Sequence, residues 1–190
     1  MSKKTYDKVN SILELRGVSE IIDDILVVIG SQKNKHLFEN DPILHQVFQD
    51  LFATGNSIGQ FSLFEHVVEE MSRLNELDYP RYLRYRYYYD VYPAIKKTAK
   101  YPPLVQIEPS SVCNYRCVFC YQTDQRLSKK KNGHMGIMSL ELFKSVIDQL
   151  EGNVEGITLA SRGEPTLNKR LPEFLQYMSG KFLATKINTN

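Results

Sequence analysis

Residues 104–120 read LVQIEPSSVCNYRCVFC, and this stretch sets the organisation of the chain. Its first five residues are short, largely apolar and β-branched enough for a strand, which Pro109 and the two serines after it bring to an end. A loop that holds all three cysteines of the chain, Cys113, Cys117 and Cys120, follows at once. We therefore expect a strand whose carboxyl end opens directly into a cysteine-bearing loop.

Strand and helix signals alternate after this loop. Ser139 is a suitable helix N-cap, and the apolar residues after it recur at helical spacing until Gly152. Strands predicted over residues 156–160 and 182–187 flank a second helix over residues 171–178. The order strand, helix, strand, helix, strand with short connections predicts an α/β unit of parallel strands joined by right-handed crossovers, in an open sheet or in part of a barrel.

A polar segment follows each predicted strand. The cysteine loop follows the first strand, residues 161–165 (SRGEP) follow the second, and residues 188–190 (NTN) follow the third. Because parallel strands place their carboxyl ends at one edge of the sheet, where active sites of such folds lie, we expect one site at this edge. Three strands with two helices have open edges and little cover, so we expect the chain to be part of a longer protein.

The first half of the chain has a different pattern. From Tyr6 to about Lys100 the apolar residues recur at helical spacing, and glycines and prolines punctuate them at intervals suited to helix ends. We predict two domains, an all-helical N-terminal domain of four or five helices over residues 1–100 and the α/β unit over residues 101–190.

A run of tyrosine and arginine ends the helical half. Residues 79–101 hold eight of the twelve tyrosines, interleaved with Arg81, Arg84 and Arg86. Arginine beside aromatic rings could grip a single-stranded nucleic acid by stacking and phosphate contact. Alternatively, the rings lie on several faces of a helix and pack between two domains. A formal net charge of +2 supplies no basic field, so we favour packing and do not expect a nucleic-acid partner.

The composition limits the class of protein. Hydrophobic residues make up 42% of the chain and charged residues 24%, as in ordinary soluble globular proteins. The longest apolar stretch, residues 25–30, is far below the roughly 20 residues of a membrane span, and no signal-peptide apolar region follows the basic start. Three cysteines within eight residues also differ from the even, dispersed set of a secreted disulfide framework. We expect a cytoplasmic protein without a membrane partner.

The cysteine spacing C-x3-C-x2-C indicates a metal centre, because Cys113, Cys117 and Cys120 could converge on it as thiolates. Three thiolates can bind three irons of a cubane [4Fe-4S] cluster and leave the fourth iron open to a small molecule. A ferredoxin run instead begins C-x2-C-x2-C and uses a fourth cysteine. A zinc site remains open, since His134 could complete a set of three thiolates and one imidazole in a non-catalytic zinc-binding interaction module.

The cysteine motif C-x3-C-x-Phe-C after the first strand, with Gly163-Glu164-Pro165 after the second, resembles the radical S-adenosylmethionine (radical SAM) enzymes. The resemblance covers residues 104–190. It implies that these residues form the first three strands and two helices of a partial (β/α)6 radical SAM barrel. About half of that barrel would follow Asn190, so the resemblance also implies that the chain is inactive alone.

The resemblance implies that Cys113, Cys117 and Cys120 hold a [4Fe-4S] cluster whose open iron is chelated by the amino and carboxylate groups of SAM. An electron from the cluster would cleave the sulfonium and yield a 5'-deoxyadenosyl radical that modifies a substrate. A reductant such as flavodoxin or ferredoxin would supply the electron. The fold and cofactor do not fix the substrate, and we expect a peptide or a sugar.

Cofactor contacts follow from the same resemblance. Phe119 matches the aromatic position that lies against the adenine of SAM. Gly163 and Glu164 match the Gly-Gly-Glu-Pro segment that meets the SAM amino group, and Thr189 or its asparagine neighbours match polar residues at the third strand end. The chain departs from the family at Arg162, which stands in place of the first glycine, and its side chain points either toward an anionic substrate or outward. No residue is singled out as catalytic.

Overall fold

The computed structural model describes residues 16–53 and 61–190. The chain divides into two compact units between Thr98 and Ala99. Within the two described ranges, no helix is long and apolar enough to cross a membrane. The helical pattern predicted over residues 6–15 lies outside the described residues.

The described part of the first unit is helical, as predicted. Along its first helix Ile21, Ile25 and Ile29 are buried at intervals of four residues, which places them on one face. The Asp41 carboxylate caps the third helix by accepting hydrogen bonds from the backbone N–H groups of Ile43 and Leu44. The α-helices are α1 (Val18–Gly30), α2 (Gln32–Glu39), α3 (Pro42–Leu51), α4 (Glu65–Met71) and α5 (Tyr79–Asp90).

Helix α5 carries the tyrosine and arginine run into the core of this unit. Tyr82 is fully buried, and its hydroxyl donates to Oε2 of Glu70 at 2.5 Å. Arg86 is 5% exposed and donates through Nε and Nη2 to the Asp90 carboxylate at 3.0 and 2.9 Å. Its Nη2 also lies 2.8 Å from Nε2 of His66. Packing within the unit therefore accounts for the enclosed side chains of the run, including its most buried arginine.

Removing the Asp90 carboxylate should destabilise the helical unit, because Arg86 would keep its charge in a buried position. We expect Asp90→Ala to lower the free energy of unfolding by about 2 kcal/mol. This loss is smaller than that for a fully enclosed ion pair, because the Asp90 side chain is partly exposed. Arg126→Ala, which breaks an exposed ion pair with Asp124, is the control and should change it by less than about 1 kcal/mol. Urea unfolding followed by far-ultraviolet circular dichroism measures both, and equal effects would contradict the buried-pair assignment.

The second unit contains a parallel sheet in the order β1, β2, β3. In its register Leu104 pairs with Gly156, which in turn pairs with Ala184. Three parallel strands alternating with helices confirm the predicted α/β order. The strands are β1 (Leu104–Ile107), β2 (Gly156–Leu159) and β3 (Ala184–Ile187), and the helices are α6 (Gln125–Ser128), α7 (Leu140–Leu150) and α8 (Leu171–Met178).

All three strands are shorter than predicted, because polar contacts or turns take over at their ends. The predicted first strand included Glu108, which instead directs its carboxylate to Arg162 in the loop after β2. Ala160 follows the last ladder pair of β2, and residues 182–183 precede the first pair of β3. The differences lie at strand ends and leave the topology unchanged.

Helices α7 and α8 build the core of this unit with the strands. Phe143 and Phe174 are fully buried, and their rings stack with centroids 4.0 Å apart. Ile147 from α7 and Ile157 and Leu159 from β2 complete the centre of the same apolar cluster. This core supports the strands, and their carboxyl ends carry the polar segments described next.

Candidate cofactor site at the strand ends

The cysteine loop is closed at its base by hydrogen bonds between Ser111 and Gly136. The backbone N–H of Ser111 donates to the carbonyl of Gly136 at 3.0 Å, and the N–H of Gly136 donates to Oγ of Ser111 at 2.7 Å. The N–H of Met138 donates to the carbonyl of Pro109 at 2.9 Å. The loop therefore leaves the end of β1 and returns to it, so its root is anchored to the sheet.

The three thiols are free and accessible on this loop. Cys117 is exposed, while Cys113 and Cys120 are partly exposed. A turn joins two of them, since the N–H of Cys120 donates to the carbonyl of Cys117 at 2.9 Å. Soft thiolate donors suit iron–sulfur clusters and zinc rather than magnesium or calcium. The donor chemistry of the loop therefore fits a [4Fe-4S] cluster.

The side chains are not gathered around a metal position. Among the residues that the structure describes, no group of three or more His, Cys, Asp or Glu side chains is arranged to hold a metal ion. His134 is exposed and is not brought together with Cys113, Cys117 and Cys120 in such a group. The structure thus places three candidate ligands on one anchored loop, and it adds no support for a fourth ligand from His134.

Gly163 lies against the backbone at the root of the cysteine loop. A Cβ atom at this position would stand 1.9 Å from the carbonyl oxygen of Ser110 and 2.7 Å from the carbonyl carbon of Ser111. Only glycine permits this approach. The next residue continues the contact, because the N–H of Glu164 donates to the carbonyl of Val112 at 2.8 Å. The loop after β2 is therefore docked on the loop after β1.

The Glu164 carboxylate connects this loop to the end of β3. The side chain is buried, and Oε1 accepts from the N–H and hydroxyl of Thr166 at 3.0 and 2.6 Å and from the hydroxyl of Thr189 at 2.7 Å. Oε2 accepts from the N–H of Asn190 at 2.9 Å. Burial raises the pKa of Glu164, but these hydrogen bonds outweigh burial and hold the pKa below its ordinary value. Glu164 is therefore an anion at neutral pH.

The end of β3 also reaches the cysteine loop. Asn190 donates through Nδ2 to Oδ1 of Asn114 at 3.1 Å, and the same nitrogen lies 3.8 Å from Sγ of Cys113. Thr189 and Cys113 are thus joined to one network through Glu164 and Asn190. The three segments predicted at one edge of the sheet are together in the structure.

Phe119 lies apart from this network. This residue is 91% exposed, and the neighbouring Val118 is 92% exposed. Two large apolar side chains beside the thiols form an uncovered surface on the cysteine loop. The predicted adenine contact of Phe119 is not tested by this arrangement and stays a prediction.

Arg162 pairs with Glu108, a partner that the sequence analysis did not identify. The guanidinium donates through Nε and Nη2 to the two Glu108 oxygens at 3.0 and 2.9 Å, and the Arg162 N–H donates to Oε2 at 2.9 Å. Burial raises the pKa of Glu108, but the bonds from Arg162 outweigh it and lower the pKa overall. The available signal was that a carboxylate and a guanidinium follow the ends of paired parallel strands.

Two buried amides were also missed as anchors of the site. Gln122 donates through Nε2 to the carbonyls of Ser111 and Arg162 at 2.9 and 2.7 Å. Asn168 donates through Nδ2 to the carbonyls of Pro109 and Met138 at 2.9 and 3.0 Å. A single sequence does not predict such contacts, because the backbone acceptors become neighbours only in the folded chain.

In folds of parallel strands joined by helices, ligands bind at the carboxyl ends of the strands, and in this unit that edge carries the cysteine loop. Residues 107–190 match the family described as Radical SAM superfamily. This part of the chain is therefore a radical SAM superfamily domain, as its resemblance to that family indicated, and the family uses a [4Fe-4S] cluster and SAM. Cys113, Cys117 and Cys120 form its C-x3-C-x2-C motif.

One curated relative matches part of the chain. Over 88 residues the chain is 33% identical to the Fe-coproporphyrin III synthase of Methanosarcina barkeri (strain Fusaro / DSM 804). The match covers 46% of this chain and 21% of the relative, so the chain spans about a fifth of that protein. No solved structure matches the chain significantly.

A side chain at Gly163 should separate the two docked loops. We expect Gly163→Ala to lower the free energy of unfolding of the second unit by about 3 kcal/mol, because the backbone atoms it meets cannot rotate away. Gly136→Ala is the matched control, since a Cβ there meets nothing within 4 Å and φ is not positive. Urea unfolding of both variants measures the difference, and an equally stable Gly163→Ala chain would contradict the close approach.

The stability supplied by Glu164 should depend on pH. Its pKa is lowered in the folded chain, so its contribution is present above the unfolded pKa, near 4.5, and is lost as the pH falls through the folded pKa. Glu164→Gln places an amide against the four N–H and O–H donors. We expect it to lower the free energy of unfolding by about 2 kcal/mol at pH 7. We expect the stability difference between wild type and variant to shrink below about pH 4. Thermal unfolding at several pH values measures this difference, and a constant value would contradict the assignment.

Proposed function

We propose that Cys113, Cys117 and Cys120 hold a [4Fe-4S] cluster and that the three strand ends around it bind SAM. The protein is then a radical SAM enzyme that generates a 5'-deoxyadenosyl radical to modify a substrate. The observation that supports this most directly is the joining of the cysteine loop to both other strand ends, through Gly163 and Glu164 on one side and Asn190 on the other.

The cysteine loop contributes three thiolates, and hydrogen bonds anchor its root to the end of β1. A cluster held by these thiolates would supply the single electron that cleaves the sulfonium of SAM into methionine and a 5'-deoxyadenosyl radical. The accessibility of Cys117 and the anchored root at Ser111 allow the thiols to close around a cluster without moving the sheet.

Glu164 supplies negative charge where the ammonium group of SAM would lie. Its Oε1 already accepts three hydrogen bonds, whereas Oε2 accepts one, from Asn190. Each carboxylate oxygen has two lone pairs, so Oε2 can accept a second donor, whereas Oε1 already shares its lone pairs among three. An ammonium group at Oε2 would make a charge-assisted hydrogen bond to a carboxylate that is ionised at neutral pH.

Phe119 and Thr189 are the other proposed SAM contacts. Stacking adenine on the exposed Phe119 ring would cover apolar surface that solvent now reaches. Thr189 uses its hydroxyl proton for Glu164, which leaves the oxygen lone pairs as acceptors toward a ligand.

The substrate and reductant belong to the proposal as well. The match covers 88 residues and 21% of the relative, so the product in the relative's name does not carry over to this chain. We retain a peptide or a sugar as the substrate class and a flavodoxin or ferredoxin as the electron donor. A reducing cytoplasm would keep the three thiols available for cluster assembly.

Anaerobic reconstitution with iron and sulfide tests the proposal. We expect the 190-residue chain to take up about four irons and, after reduction, to show a [4Fe-4S] electron paramagnetic resonance signal that changes when SAM is added. Cys117→Ala should lose the signal, while His134→Ala should keep it. These variants separate the cluster from a zinc site, because a zinc site of three thiolates and one imidazole needs both residues.

A colourless chain that holds stoichiometric zinc and loses it on His134→Ala would contradict the proposal. A cluster whose signal does not respond to SAM would also contradict it, since that behaviour belongs to an electron carrier without an open iron.

A further inference from the structure

Arg162 stands where the family has the first glycine of Gly-Gly-Glu-Pro, and its guanidinium is paired with the Glu108 carboxylate. Nε and Nη2 form the edge of the guanidinium that grips a carboxylate in a bidentate manner. Both donate to Glu108. The same edge therefore cannot hold an anionic substrate unless Glu108 is displaced. The side chain is 44% exposed, so it lies at the surface of the unit while this pair holds it.

Gln122 attaches the same residue to the cysteine loop. It lies two positions after Cys120 and is 1% exposed. Its Nε2 donates to the carbonyl of Arg162 at 2.7 Å and to the carbonyl of Ser111 at 2.9 Å. Because a buried amide loses its partners at a high energetic cost, this bridge holds the two backbone segments at a fixed separation.

Arg162 is therefore held at three of its groups. Its N–H and guanidinium are bound to Glu108 at the end of β1, and its carbonyl is bound to Gln122. The next two residues, Gly163 and Glu164, are those proposed to meet the SAM amino group. Any rotation of the Arg162 backbone would move the Glu164 carboxylate relative to the thiols.

We propose that Glu108, Arg162 and Gln122 form a positioning triad that holds Gly163 and Glu164 in register with the cysteine loop and so sets how SAM meets the cluster. This inference rests on the proposed function. None of the three side chains touches the cluster or SAM in this proposal. Glu108 and Gln122 bind the Arg162 backbone, and the Arg162 guanidinium holds the Glu108 carboxylate.

A purely structural ion pair would give a different result. A pair with side chains 21% and 44% exposed contributes little to stability by itself. Global unfolding is therefore a weak readout of the positioning triad. The affinity for SAM at constant cluster content and the local exchange of the 162–164 amides report on position instead.

The test compares Glu108→Gln, Arg162→Gln and the double variant in the reconstituted 190-residue chain. We expect each to keep its iron and sulfide content but to bind SAM about 10-fold more weakly in a titration followed by electron paramagnetic resonance. The double variant should be no weaker than the single variants, because the two residues act as one unit. Arg126→Gln, which breaks the exposed pair with Asp124 at the start of α6, should bind SAM like wild type.

Hydrogen exchange without cofactor separates this inference from the proposed function. We expect Glu108→Gln to speed exchange of the Arg162 and Glu164 amides about 10-fold, with no change in Arg126→Gln. If wild type takes up no cluster or SAM, the proposed function fails and the exchange result alone decides the positioning role. Unchanged exchange in Glu108→Gln, or SAM binding as tight as in wild type, overturns the positioning triad.

Discussion

The approach of Gly163 to the backbone of Ser110 and Ser111 is the constraint on which the site depends. No residue with a Cβ fits at this distance, so the loop after β2 lies directly on the root of the cysteine loop. From that position the N–H of Glu164 reaches Val112, and its carboxylate reaches the end of β3. One backbone contact thus brings the ends of three strands into one network.

Hydrogen bonds and ion pairs stabilise this network at the strand ends, whereas apolar packing stabilises the core beneath the sheet. Phe143 and Phe174 stack in the core that supports the strands, and burial of such rings is worth about 2 kcal/mol each. At the strand ends, Glu164 and the pair of Glu108 and Arg162 supply charges that are fixed by hydrogen bonds. Fixed charges beside accessible thiols suit a site that must bind a cationic cofactor without rearranging the core.

The sequence predicted those features that follow from local pattern. Alternating strand and helix signals gave the parallel unit, and the three cysteines with the Gly-Glu-Pro segment indicated which strand ends carry the site. The sequence pattern did not predict contacts between residues that lie far apart in the chain. The pair of Glu108 and Arg162 and the bridge from Gln122 join residues 54 and 40 positions apart, and they form only once the sheet aligns them.

The segment after the three cysteines also contains local structure that the sequence pattern did not predict. Between residues 121 and 132 the structure has helix α6 and two short 3-10 helices, and the sequence pattern predicted none of them. Asp124 caps α6 by accepting from the N–H of Arg126 at 2.8 Å. An aspartate before a helix start was a readable signal, but a helix of four residues has too little apolar pattern to be recognised.

The central claim is that the thiols and the neighbouring strand ends form one site that binds SAM to the cluster. Electron–nuclear double resonance of the reduced, reconstituted chain with SAM labelled at its amino nitrogen tests it most directly. The account predicts a hyperfine coupling between that nitrogen and the cluster, which disappears in Cys117→Ala and weakens in Glu164→Gln. A [4Fe-4S] signal without any coupling to the labelled nitrogen would contradict it.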